Sequence, residues 1–155
     1  MRFELLSYSG KMEVLKRMHR HINKHFFNNS LRDIPLDIEN ISKEEALNGR
    51  FRACNTPGFP PEKISISIEF VEDIAQLKTQ KEQVLLLGRV LLHEAIHQYC
   101  YENGIEDKNH AGHWTKEAER HGLTSIYENG EPVEEKERFF IWADIHWHLL
   151  HLSVF

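Results

Sequence analysis

Apolar residues in the first part of the chain step by three and four: Val14, Leu15, Met18, Ile22 and Phe26. That spacing predicts a helix over residues 11–27 with one buried stripe, and Asn28-Asn29-Ser30 predicts its end. A weak alternation over 36–41 predicts a strand. Asn48-Gly49 marks a turn, and a second strand is expected over 50–54. The proline-rich run 57–61 reads as a loop. Residues 64–68 read Ile-Ser-Ile-Ser-Ile, a strict alternation that predicts a half-buried strand.

From 81 to 101 the period becomes helical again. Val84, Leu85, Leu87, Leu91, Leu92, Ala95, Ile96 and Tyr99 give this helix so much apolar surface that it should be central to the core. Asn103-Gly104 is its stop signal. A third helix is expected over 110–121, closed by Gly122, and Asn129-Gly130 predicts a tight turn. Residues 134–152 fit a helix, but 145–149 alternate, so helix and strand both stay open there. The order of elements predicts an α+β fold: a small sheet packed on the helix 81–101, with a cleft along the sheet edge that can take an extended peptide.

Composition narrows the class. A length of 155 residues fits one domain. The two cysteines, Cys54 and Cys100, cannot form a disulfide framework, which points to a reducing compartment. Residues 1–10 lack the apolar core of a signal peptide. The longest apolar stretch, 84–92, is broken by Gly88 and Arg89 and falls short of the roughly 20 residues that cross a bilayer. The expectation is a cytoplasmic protein without a membrane partner. A net charge of −5 argues against global attraction to nucleic acid. Lys11, Lys16, Arg17, Arg20 and Lys24 make the first helix locally basic, so DNA stays open as a partner on local charge alone. Eleven histidines raise the expectation of metal binding, and of accidental motifs with it.

The motif that carries chemistry is His93-Glu94-Ala95-Ile96-His97, an HExxH. On a helix, residues four apart share a face, so both imidazoles can reach one zinc ion. Glu94 falls beside that face, placed as a general base for a water made acidic by the metal. Two histidines and a glutamate inside an apolar helix are costly to bury without a task. Catalytic zinc takes three protein ligands and leaves room for water. Cys100 lies seven residues after His93, about 10 Å along the axis, and cannot share a metal with it. A histidine six residues after His97 is absent, since that position is Asn103. His110, His113 and Glu117 remain open as the third ligand.

The stretch LLHEAIHQYCYENGIEDKNHAGHWTKEAERHGL resembles the SprT-like zinc metallopeptidases (Spartan-related). There an HExxH helix precedes a short acidic loop, an HxxxF or HxxxW step and a helix ending in Gly-Leu. His110-Ala111-Gly112-His113-Trp114 matches that step, and Gly49-Arg50-Phe51 and the 64–68 strand look like its upstream part. The resemblance implies a minimal zincin-like domain over 1–123, a Zn2+ cofactor, His93, His97 and His110 as ligands, and Glu94 as catalytic base. It also implies Trp114 as a core anchor beneath the site, and a protein or peptide substrate. The family's C-terminal zinc ribbon is absent, and 124–155 is expected to be an extension packed on the same domain.

Other residues compete for roles. Tyr99, Tyr101 and Tyr127 are candidates to stabilise a tetrahedral intermediate, with Tyr99 reading as core. His146, His148 and His151 form an HxHxxH cluster that reads as amphipathic packing before it reads as a second metal site. A deformylase would draw a cysteine ligand from Cys54, whose setting lacks the glycines of that class. A zinc-containing adaptor derived from a peptidase would have no use for Glu94.

Overall fold

Helix α1, Tyr8–Phe27, starts three residues before the expected start at residue 11. The Ser7 hydroxyl caps it by accepting the Gly10 N–H at 3.1 Å, so the cap rather than the stripe sets its start. Met12, Leu15, Met18 and Ile22 are buried along one side. Asn28 and Asn29, at φ 50 and 60, turn the chain out of the helix. The computed structural model describes residues 2–41, 48–54, 56, 58–77, 79–105, 112–121, 127–128 and 131–132.

Strands β1 (Leu36–Glu39), β2 (Gly49–Arg52) and β3 (Lys63–Ser67) form a sheet in the order β1-β3-β2, with β1 parallel and β2 antiparallel to β3. The register puts Leu36 and Phe51 beside Ile64, and Ile38 and Gly49 beside Ile66. Strand alternation makes these one face, which joins the apolar core. The opposite face is polar. Lys63 meets Glu39 at 3.0 Å and Asp37 at 3.3 Å, while Arg50 and Arg52 approach Glu39 at 3.7 and 3.8 Å. Ser65 and Ser67 are as buried as Ile64 and Ile66, so the expected half-burial of this strand does not hold. The reason is position: β3 is central, and charged side chains from both neighbours meet across it.

Ile68 does not end the strand but opens a short helix, α2 (Ile68–Ile74), which the alternation concealed. Helix α3, Gln80–Glu102, begins at Thr79, whose hydroxyl accepts the Glu82 N–H at 3.1 Å, and gives way to Asn103 and a left-handed Gly104. It is buried over most of its circumference, from Val84 and Leu87 through Leu91, Leu92, Ala95 and Ile96 to Cys100, as expected of a core helix. Helix α4 spans His113–Arg120. It starts at His113 after Gly112 at φ 62, and the expected start at 110 lies outside the described residues. Tyr127–Glu128 (β4) pairs antiparallel with Glu131–Pro132 (β5), and the turn expected at 129–130 lies outside the described residues. The expectations for 134–152, and the HxHxxH cluster with them, lie outside the described residues. No described helix is long and apolar enough to cross a membrane.

Two polar ties hold other elements to α3. At its start, Gln83 accepts the Phe3 N–H at 3.1 Å and donates to Glu4 at 2.8 Å; Arg2 donates to the carbonyls of Ala75 and Leu77, both at 2.6 Å. The Phe3 ring is thereby held fully buried. Near its end, Gln98 donates to the Arg32 carbonyl at 2.8 Å, which leaves its oxygen facing His19 Nε2 at 2.8 Å. His19 therefore carries its proton on Nε2 and donates it.

Burial pushes the His19 imidazole below the ordinary histidine value of 6.5, against the upward pull of Gln98 and Asp33. Because the folded-state value is the lower one, the unfolded chain binds more protons between the two. The stabilisation is complete above pH 6.5 and lost as pH falls through the folded value. Thermal melts should show a lower midpoint at pH 5 than at pH 7.5, and His19→Gln should flatten that dependence. A variant with an unchanged slope would exclude His19 as its source.

Candidate metal centre

The apolar residues that bury α3 also fix its rotation, and so decide where its polar residues point. His93 and His97, four apart, lie on a half-buried side of the helix. Their ring centres are 5.2 Å apart with planes at 62°. Two imidazoles whose nitrogens lie about 2.0–2.1 Å from one tetrahedral zinc place their ring centres roughly 5 Å apart. The pair fits such an ion. Trp114, on α4 and 5% exposed, packs its ring 4.7 Å from His93 and 5.4 Å from His97. It walls both imidazoles from α4.

Three polar residues of α3 are buried: Gln83, Glu94 and Gln98. The two glutamines hold the N-terminal arm and α1. Glu94 is spent on neither task. Its carboxylate lies 4.0 Å from His93 Nε2, and its side chain is 6% exposed against 34% for that of His93. The carboxylate is thus set beneath the imidazoles, while His93 keeps a path to solvent. Strand β2 passes close by, where a methyl group on Gly49 would stand 3.4 Å from Glu94 Cγ. Periodicity gives no sign of this contact, although Gly49 is visible in the sequence as part of a turn signal.

The candidates for a third ligand separate. Among the described residues no three His, Cys, Asp or Glu side chains are grouped as metal ligands. His113 is exposed at the start of α4. Glu117 turns to Arg120 and His121, each at 3.5 Å, and His121 is buried against Phe26 and Phe27. His110 lies outside the described residues. Cys100 is buried and Cys54 partly so, both as free thiols.

Tyr101 continues the line of His93 and His97 by one more turn, about 6 Å further along the axis. Its ring meets Phe51 at 5.8 Å and its hydroxyl donates to the Phe59 carbonyl at 2.7 Å. Beside it opens a cavity of about 220 Å³ walled by Phe59, Pro61 and Tyr101, with Arg32 and Glu102 among its polar lining. Tyr99 faces Phe27 and the core, as its position in the apolar stripe predicts. The side chain of Tyr127 is outside what is described.

Compared with known protein families, with curated proteins and with solved structures, the chain finds no match.

Proposed function

We propose that the protein is a zinc metallopeptidase of zincin-like, SprT-like type that hydrolyses peptide bonds in protein substrates. The observation that carries this reading is the union, on one buried helix, of two imidazoles at the spacing of a shared metal with a buried carboxylate beside them. The resemblance of the HExxH and HxxxW steps supports it. His93 and His97 would hold the zinc, and the resemblance favours His110 as the third ligand over His113 or Glu117.

Bound zinc would supply Lewis acidity, polarising the scissile carbonyl and making water acidic near neutral pH. Glu94 takes a proton from the attacking water on a carboxylate oxygen and later returns it to the departing amine nitrogen. The C–N bond breaks, the acyl carbon keeps the hydroxyl, and Glu94 ends as it began. Strand β2 is the sheet edge beside the base. The Asn48 and Arg52 carbonyls turn inward to β3, so by alternation the backbone of Gly49 and Phe51 faces outward, suited to hydrogen-bond an extended peptide. The cavity at Tyr101 lies one turn along from His97. Alternate side chains of an extended peptide are about 6.6 Å apart, so it suits an apolar side chain of such a substrate.

The test is metal analysis joined to a cleavage assay on a denatured protein. The parent should carry one zinc per chain and release new amino termini. His93→Ala and His97→Ala should each lose the metal and the activity together. A purified parent without affinity for zinc would end this reading.

A further inference from the structure

We propose that Gly49 is a positioning residue for the base: its missing side chain lets the sheet edge close onto α3, which holds Glu94 and the peptide-binding edge in register. The inference rests on the peptidase reading. A glycine inside a strand costs stability and marks either an unusual backbone conformation or a close approach. Gly49 is not among the glycines with positive φ, so its backbone asks for no glycine. Approach is the remaining reason. A methyl group there would lie 2.7 Å from Val90 Cγ1, 3.1 Å from the Ser65 carbonyl oxygen and 3.4 Å from Glu94 Cγ.

Those three contacts belong to different parts of the site. Val90 sits one turn before Glu94 on α3, and Ser65 is on the central strand. A side chain at 49 is therefore wedged between Val90 of the helix and the Ser65 carbonyl of the sheet, with Glu94 at ordinary contact distance. The rigid Ser65 backbone on one side makes β2 move away from α3. That motion changes the distance between the base and a peptide lying on β2. The cost falls on turnover, because general-base catalysis depends on placement to within about 1 Å.

The experiment is a double-mutant cycle of Gly49→Ala and Val90→Ala on the full-length protein, reading kcat, KM, zinc content and the urea midpoint. Gly49→Ala should lower kcat by about ten- to a hundredfold while KM stays within about threefold, the pattern of a lost transition-state interaction. Zinc should remain at one per chain in every variant. Adding Val90→Ala removes the nearest contact and should recover part of the loss, leaving the double variant between Gly49→Ala and Val90→Ala. If Gly49→Ala does not fold, the double variant must still turn over more slowly than Val90→Ala alone. Parent-like turnover in Gly49→Ala overturns the proposal, as does equal turnover in the double variant and Val90→Ala, or a loss that travels with the zinc. A parent that cleaves nothing sinks the peptidase reading itself, whereas an active parent matched by Gly49→Ala sinks only the positioning role.

Discussion

Replacing Glu94 with glutamine should leave the zinc in place and slow peptide cleavage by about two to four orders of magnitude, the range that a general base contributes. The amide keeps the shape and most of the packing of the carboxylate, and the imidazoles of His93 and His97 are untouched. What it loses is the capacity to accept a proton. The side chain is only 6% exposed, so bulk water is poorly placed to substitute as base. The measurement is a pair of values on one preparation: zinc per chain and kcat/KM. Zinc near the parent level with cleavage reduced at least a hundredfold matches the assignment of Glu94 as base, within the range expected for general-base catalysis. A variant as active as the parent excludes that assignment, whatever the metal content.

Truncating Trp114 to alanine should produce the largest loss of stability of any single change at the site, about 3–5 kcal/mol as for other buried aromatic residues. The ring is 5% exposed and lies against both imidazoles. Its removal opens a void where α4 meets α3 and frees the histidine rings to leave the rotamers that suit a shared ion. Urea unfolding at constant zinc reports the first effect, and competition with a chromophoric chelator reports the second. Trp114→Phe, which keeps an aromatic wall, should recover most of both. A variant destabilised by less than about 1 kcal/mol would show that α4 is not anchored through this ring.

What the sequence discloses and what it hides divide along a physical line. Helix α3 and its HExxH are legible because both depend on residues within a few turns of each other: the apolar period sets the rotation, and the four-residue spacing sets the histidine pair. The strands read well for the same reason, since alternation is local. Burial of Ser65 and Ser67 is not local; it depends on which strands flank β3. The tie from His19 to Gln98 spans 79 positions, and the approach of Gly49 to Glu94 joins strand to helix, so neither has a signature in any short window. The third ligand is a different case: His110 lies outside the described residues, and α4 begins only at His113, after Gly112 at φ 62. Single glycines can serve in a helix or interrupt it, and composition does not distinguish the two.

The arm at residues 2–4 bears on the order in which the molecule assembles while it is being made. Phe3 is stored in a slot whose far wall includes Gln83, 80 positions later. At the usual speed of translation, about 5–20 residues per second, that interval lasts roughly 4–16 s. Until α3 emerges, Phe3 and the apolar stripe of α1 have no lasting partner and remain open to chaperones. The helix that bears the HExxH is thus also the keystone of biogenesis, and a stalled or truncated product ending before it should be handled by the cell as unfolded chain.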